Sequence, residues 1–282
     1  MGLGEEGAMT REFDRGYRGS YRPLVESYPD ESVYPADSFR VEWGPIFHRG
    51  RLDGSARVLV IGQDPAAHEA IARRILVGEA GQRTQGLLAR LGITRSYVLV
   101  NTFLYSVYGQ GGGSRHIGDP AITAYRNRWI DAIVKDQPIE AIISLGQLAD
   151  QAYQAWRTTP LGAASQAVYA TVRHPTYPES ASRTGNITKA EAFQRLCDSW
   201  NVALDAMHGV VTADAPVPLQ HYGSTIRAAD LAPIPDVDLP PGLPAWMGSL
   251  DAWAARTGTD AQKKRATITV TVPTRFRTWP VP

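Results

Sequence analysis

The chain has 282 residues, 43% of them hydrophobic, and a formal net charge of +1. That is enough apolar material for one sizeable domain with extensions, and too little charge for a global field that draws in nucleic acid, so an anionic partner must be met by local basic patches. Cys197 is the only cysteine, which excludes an intrachain disulfide and a cysteine-held zinc or iron–sulfur site and fits a reducing compartment.

The first residues, MGLGEEGAMTREF, lack the apolar core of a signal peptide and the Ser or Thr that myristoylation needs at the sixth position. No apolar run approaches the roughly 20 residues of a membrane span. The expectation is a cytoplasmic protein without membrane contact. Residues 1–39 are polar, with Tyr17, Tyr21, Tyr28 and Tyr34 scattered through them, and read as an arm wrapping a core. Four short runs rich in β-branched residues follow: 57–61 (RVLVI), 97–100 (YVLV), 141–145 (AIISL) and 168–172 (VYATV). Each fits a buried strand. Helical patterns separate them, at 65–77 and 82–91, 120–135, 147–157 and 188–207. The alternation predicts a three-layer αβα fold around a central four-stranded parallel sheet, over residues 40–208.

GQGGGS at 109–114 reads as a flexible loop, its glycine spacing wrong for a dinucleotide fingerprint. Residues 209–282 read as an extension on the same domain. Its stretch 231–245 (LAPIPDVDLPPGLPA) is too proline-dense for a regular element. A helix is expected over 246–262, and 266–272 (ATITVTV) alternates like a half-buried strand, a candidate added sheet edge.

In a parallel α/β sheet, ligands bind where the carboxyl ends of the strands open outward. The first strand is followed by Gly62-Gln63-Asp64-Pro65, the second by Asn101, the third by Gly146-Gln147 and the fourth by Arg173-His174-Pro175. A carboxylate, a carboxamide and an imidazole thus converge on one edge. Each has a plainer reading: Asp64 as a helix N-cap with Pro65 at the first helical position, Asn101 as a turn former, His174 as a packed histidine. Their shared location favours a site.

The segment GQDPAAH resembles the GQDPYH motif of the uracil-DNA glycosylase superfamily, and HPTYPES resembles its HPSPLS motif. VLVN matches the family's base-reading strand, ISLGQLADQA its third strand and following helix, and RILVGEAGQRTQGLL a segment of its iron–sulfur branches, whose cluster the missing cysteines rule out here. The resemblance covers residues 40–205. It implies a monofunctional glycosylase that flips uracil from single- or double-stranded DNA and hydrolyses its N-glycosidic bond, as a monomer without cofactor or metal. Asp64 would orient water and stabilise the cationic sugar, and His174 would stabilise the anionic base. Gln63 and Asn101 would contact the base, with Asn101 matching both N3–H and O4 of uracil.

The departures from the family pattern carry their own expectations. Ala66 and Ala67 replace the family's Tyr and His, with His68 one place late, so a roomier pocket and broader base tolerance are expected. Leu76 stands where an aromatic stacks on the base, unless Phe103 or Tyr105 takes that role. The wedge leucine has no equivalent, leaving Tyr177, Pro178 or Glu179 at the loop tip and implying weak plugging of duplex DNA. DNA backbone contacts are expected from Arg83, Thr84, Arg173, Thr176, Tyr177, Ser180, Ser182 and Arg183, with Lys263, Lys264, Arg265, Arg275 and Arg277 as a basic tail. The alternative is a DNA- or nucleotide-binding protein of the same fold with weak or lost catalysis. A nucleotide or ester hydrolase is disfavoured, because no G-x-S-x-G elbow or metal motif occurs.

Overall fold

The structure, a computed structural model, describes Asp14 and residues 16–251, 253–260, 263 and 267–277. Its central sheet has five strands in the order β1-β3-β2-β4-β5: β1 (His48–Gly50), β2 (Val58–Gly62), β3 (Tyr97–Asn101), β4 (Ala141–Leu145) and β5 (Val168–Val172). The last four are parallel to one another, and β1 runs antiparallel to β3. The expected four-stranded sheet therefore gains an antiparallel edge. That edge is polar in sequence, and pairing with β3 alone makes it a strand. β5 is the opposite edge and is only partly buried.

Successive residues of β2 point to opposite faces, as the strand period of two requires. Leu59 and Ile61 join one core with Ile122, Trp129 and Ile133 of α5 (Pro120–Asp136), Trp156 of α6 (Gln147–Arg157), and Tyr21, Tyr34 and Phe39 of the N-terminal arm. Val58 and Val60 join the other core with Leu87 and Leu88 of α3 (Glu79–Arg90) and Leu196, Trp200 and Leu204 of α9 (Lys189–Met207). The result is the three-layer αβα arrangement. Local chemistry sets the helix starts. Asp119 accepts from Ala121 N at 2.9 Å with Pro120 at the first position of α5. Thr188 and Glu191 form a reciprocal capping box on α9. Between these elements lie α1 (Arg22–Glu26), α2 (Ala67–Ala72), α4 (Gly109–His116), α7 (Pro160–Ala164) and α8 (Tyr177–Ala181).

Four expectations are corrected. The pattern over 65–77 yields only the six residues of α2, after which the chain turns irregularly, with Arg73 and Leu76 at positive φ. GQGGGS is the first turn and a half of α4, not a loop; Gly113 packs so closely that an added Cβ would lie 3.0 Å from Leu148 and 3.2 Å from Phe103. Among the described residues of 246–262, the expected helix is replaced by a 3₁₀ turn at Ala245–Gly248 and a two-residue strand, β6 (Ala254–Ala255); residues 252, 261 and 262 lie outside the described residues. β6 pairs antiparallel with β7 (Thr269–Val270), so the alternating tail forms its own two-stranded ribbon and does not extend the main sheet. Lys264 and Arg265 of the basic tail lie outside the described residues. Among the described residues, no helix is long and apolar enough to cross a membrane.

Candidate active site

From β2 the chain moves outward to β3, then returns to pair β4 on the other side of β2. This is the switch point at which doubly wound sheets open a crevice beyond their strand ends. A cleft of about 1030 Å³ lies there, lined by Gln63, Asp64 and Ala66 after β2, Gly146 and Gln147 after β4, and Arg173 and His174 after β5. Thr176, Tyr177 and Ser180 form one lip, and Leu76 closes another side.

Asp64 does not cap α2. The helix begins at Ala67, and the N–H of Ala66 is taken by the Glu69 carboxylate at 3.0 Å. The other Glu69 oxygen accepts from Val77 N at 3.1 Å, so one buried side chain ties the turn after Asp64 to the segment carrying Leu76. Leu76 sits at φ 52°, and its carbonyl lies where a Cβ on Gly81 would be, 1.5 Å away. Only glycine permits that approach, which places Leu76 at the cleft wall.

The Asp64 carboxylate accepts two hydrogen bonds, from Val107 N at 2.9 Å and from Gln63 Nε2 at 3.0 Å. Burial pushes its carboxyl up to about 6, against the downward pull of those two donors and of the Arg256 charge. His174 follows β5, where Trp200 Nε1 donates to Arg173 O at 2.9 Å and Ser199 Oγ accepts from Arg173 N at 3.0 Å. Thr176 N–H donates to His174 Nδ1 at 3.2 Å, which makes Nδ1 an acceptor and leaves the proton of the neutral ring on Nε2. Burial, and then the nearby Arg83 charge, holds this imidazole down at about 4. The cleft therefore has an ionised carboxylate and a neutral N–H donor together above pH about 6.

The remaining candidates divide. Asn101 is 1% exposed and lies behind Gly62; a Cβ on Gly62 would stand 2.5 Å from Asn101 Oδ1. Its Nδ2 has no hydrogen-bond partner within the described residues. Phe103 and Tyr105 are buried in the core, and the Tyr105 hydroxyl donates to Pro29 O, while Leu76 lines the cleft. Arg83 faces inward: it donates to Pro175 O and to both Glu179 oxygens, and pairs with Glu79, bracing the loop after His174. Its guanidinium is buried and held by Glu79 and Glu179, the latter from 96 residues further along the chain. Thr84 is buried too, its hydroxyl turned to Ala80 O. Ser182 donates back to Pro178 O within its own turn, whereas Arg183 lines the cleft. Arg173 is exposed and stacks 4.5 Å above the Tyr177 ring. Gln147 and Ser114 also reach the cleft. The strand-end rule points to Gln147; nothing in a glycine run signals Ser114. Among the described residues, no group of three or more His, Cys, Asp or Glu is arranged to hold a metal ion.

An αβα fold with a carboxylate and a neutral imidazole both lining its switch-point cleft is the arrangement of an α/β protein of the doubly wound class. A family model described as the uracil DNA glycosylase superfamily matches residues 49–198, and the chain belongs to that family. No curated protein matches the chain.

Proposed function

We propose that the protein is a monofunctional DNA glycosylase that removes uracil from DNA and so opens base excision repair. The observation that carries this reading is the pairing in one cleft of Asp64, ionised above about pH 6, with His174, a neutral Nε2–H donor. Breaking an N-glycosidic bond builds positive charge at C1′ and negative charge on the departing base. Asp64 faces the first and orients the water whose oxygen bonds to C1′; His174 donates to the second. The water proton leaves to solvent, the base departs as an anion and is then protonated, and an abasic sugar remains. The unpartnered Asn101 Nδ2 is a buried donor that the O4 acceptor of a flipped uracil would satisfy, and a base presenting a donor there would leave it orphaned.

Base tolerance turns on Ala66, which is exposed at the cleft. Ala67 is different: its missing bulk is filled, because it packs with Trp253 and Met247. The room therefore opens at one position, and acceptance of bases larger than uracil depends on Ala66. At the loop tip Pro178 is buried and Glu179 is engaged by Arg83, leaving Tyr177, braced by Arg173, to meet the DNA stack. Single strands, where unstacking costs little, are the favoured substrate.

The test is single-turnover release of free base from single-stranded oligonucleotides carrying uracil, hypoxanthine, xanthine or thymine. Wild type releases uracil, and Asp64→Asn and His174→Ala each lose on the order of 10²–10³-fold. Ala66→Tyr narrows the range toward uracil alone. No release from any substrate by folded wild type turns the reading into that of a DNA-binding member of the family.

A further inference from the structure

The family match ends at residue 198, yet the chain beyond it returns to the turn that carries Asp64. Trp253, 1% exposed, meets the His68 ring edge-on at 4.6 Å, and Ala254 N–H donates to His68 Nε2 at 3.2 Å. Ala67, Ala72 and Val77 share one apolar cluster with Ile234, Leu239, Met247 and Trp253. This docking explains the small residue at position 67 and the displaced His68: both faces are covered by the extension.

Immediately past this anchor, β6 delivers Arg256. Its Nη2 donates to Ser106 Oγ at 2.9 Å, and its guanidinium lies 5.2 Å from the Trp43 ring centroid. Ser106 is fully buried, and the next peptide supplies the Val107 N–H that holds Asp64 Oδ2 at 2.9 Å. Among the described residues, the charged and titratable groups around this spot are Glu69 from α2, which opposes ionisation of Asp64 and favours the charge on Arg256, Arg256 just after β6, which favours ionisation of Asp64, Tyr108, which acts on Arg256, and Arg40, which packs on the same Trp43 ring and on Tyr108.

We propose that the C-terminal extension is part of the active site, and that Arg256 is a positioning residue that clamps the Ser106–Val107 peptide and sets a cation beside Asp64. The catalytic consequence rests on the glycosylase reading; the electrostatic one does not. The experiment is therefore a ¹³C-carboxyl NMR titration of Asp64 in the full chain, its signal assigned by loss in Asp64→Asn, alongside pH profiles of single-turnover uracil release. In Arg256→Met the Asp64 midpoint moves upward by about 0.5–1 pH unit, and Arg256→Lys restores most of it. Release at pH 6 falls about two- to fivefold with little change at pH 8.5, because only the fraction of ionised Asp64 changes. Ser106→Ala, which removes the clamp but keeps the charge, shifts the midpoint in the same direction by less and carries the test if Arg256→Met does not fold. An unmoved midpoint in folded Arg256→Met, or in Ser106→Ala where that variant stands in, overturns the proposal even if uracil is released normally. A shifted midpoint in a protein that releases no base upholds the placement of Arg256 and rejects the glycosylase reading instead.

Discussion

Two carboxylates, one fully buried and one half-buried in the cleft, sit at opposite ends of the sheet and are treated in opposite ways. Asp238, in a 3₁₀ turn of the extension (Asp236–Asp238), is wholly buried beside β1 and β3. It receives Arg49 Nη1 at 2.6 Å, the Tyr97 hydroxyl at 2.6 Å and the guanidinium of Arg51. Asp64, at the carboxyl ends of the same sheet, receives one backbone N–H and one carboxamide. A carboxylate that holds a fold together is saturated with donors. One left short of donors in a cleft stores an unfavourable charge, which a developing cation on a substrate can relieve.

The contrast is broken most severely at Asp238. Asp238→Ala leaves Arg49 and Arg51 facing each other with no counter-charge, and removing one side of a buried ion pair costs about 3–5 kcal/mol. Urea unfolding at pH 7.5 shows that loss, together with release of the extension from the sheet edge. A cost under about 1 kcal/mol would mean that the pair is solvated and the comparison fails.

At Asp64 the effect has the opposite sign. The folded value of about 6 lies above the 3.8 of an unperturbed Asp. The folded state therefore binds more protons than the unfolded chain between these values, and stability falls as pH rises through that window. At about 1.4 kcal/mol per unit, the ceiling is about 3 kcal/mol. Asp64→Asn is then more stable than wild type at pH 8, by on the order of 1–3 kcal/mol, with the gain shrinking toward zero near pH 4. Matched urea titrations at the two pH values check both the sign and its disappearance. A destabilised Asp64→Asn at pH 8 would make Asp64 a structural residue like Asp238.

The four parallel strands and the long helices were legible because each is decided locally, by β-branched runs or by a capped apolar period. β1 was not, since His48, Arg49 and Gly50 become a strand only by pairing with Val100, Leu99 and Val98. α4 defies its glycine run because packing outweighs propensity, at a cost of about 1 kcal/mol per glycine. The strand-end residues lining the cleft could be found from topology. The partners that set their chemistry could not: Glu179 meets Arg83 across 96 residues and Arg256 meets Ser106 across 150. Sequence therefore shows the strand-end side chains of the site and conceals what tunes them: it left a helix-cap reading of Asp64 open and could not show that Glu79 and Glu179 engage Arg83.

The smallest and most diagnostic effect is the shape of the pH profile of base release. A cleft with an ordinary carboxylate and an ordinary imidazole would titrate near 4 and again near 6.5. Here burial moves the two toward and past each other, Asp64 up to about 6 and His174 down to about 4. The rate of release from single-stranded uracil DNA accordingly rises about tenfold per pH unit below 6, as Asp64 ionises, and then runs flat through 6.5. His174 is already neutral there and contributes no limb. Replacing Asp64 by Asn removes the limb at 6 and leaves a slow, level residual rate. A falling limb between pH 6 and 7.5 would show that the protonated imidazole is the working form, and would assign His174 the role of general acid in place of neutral donor.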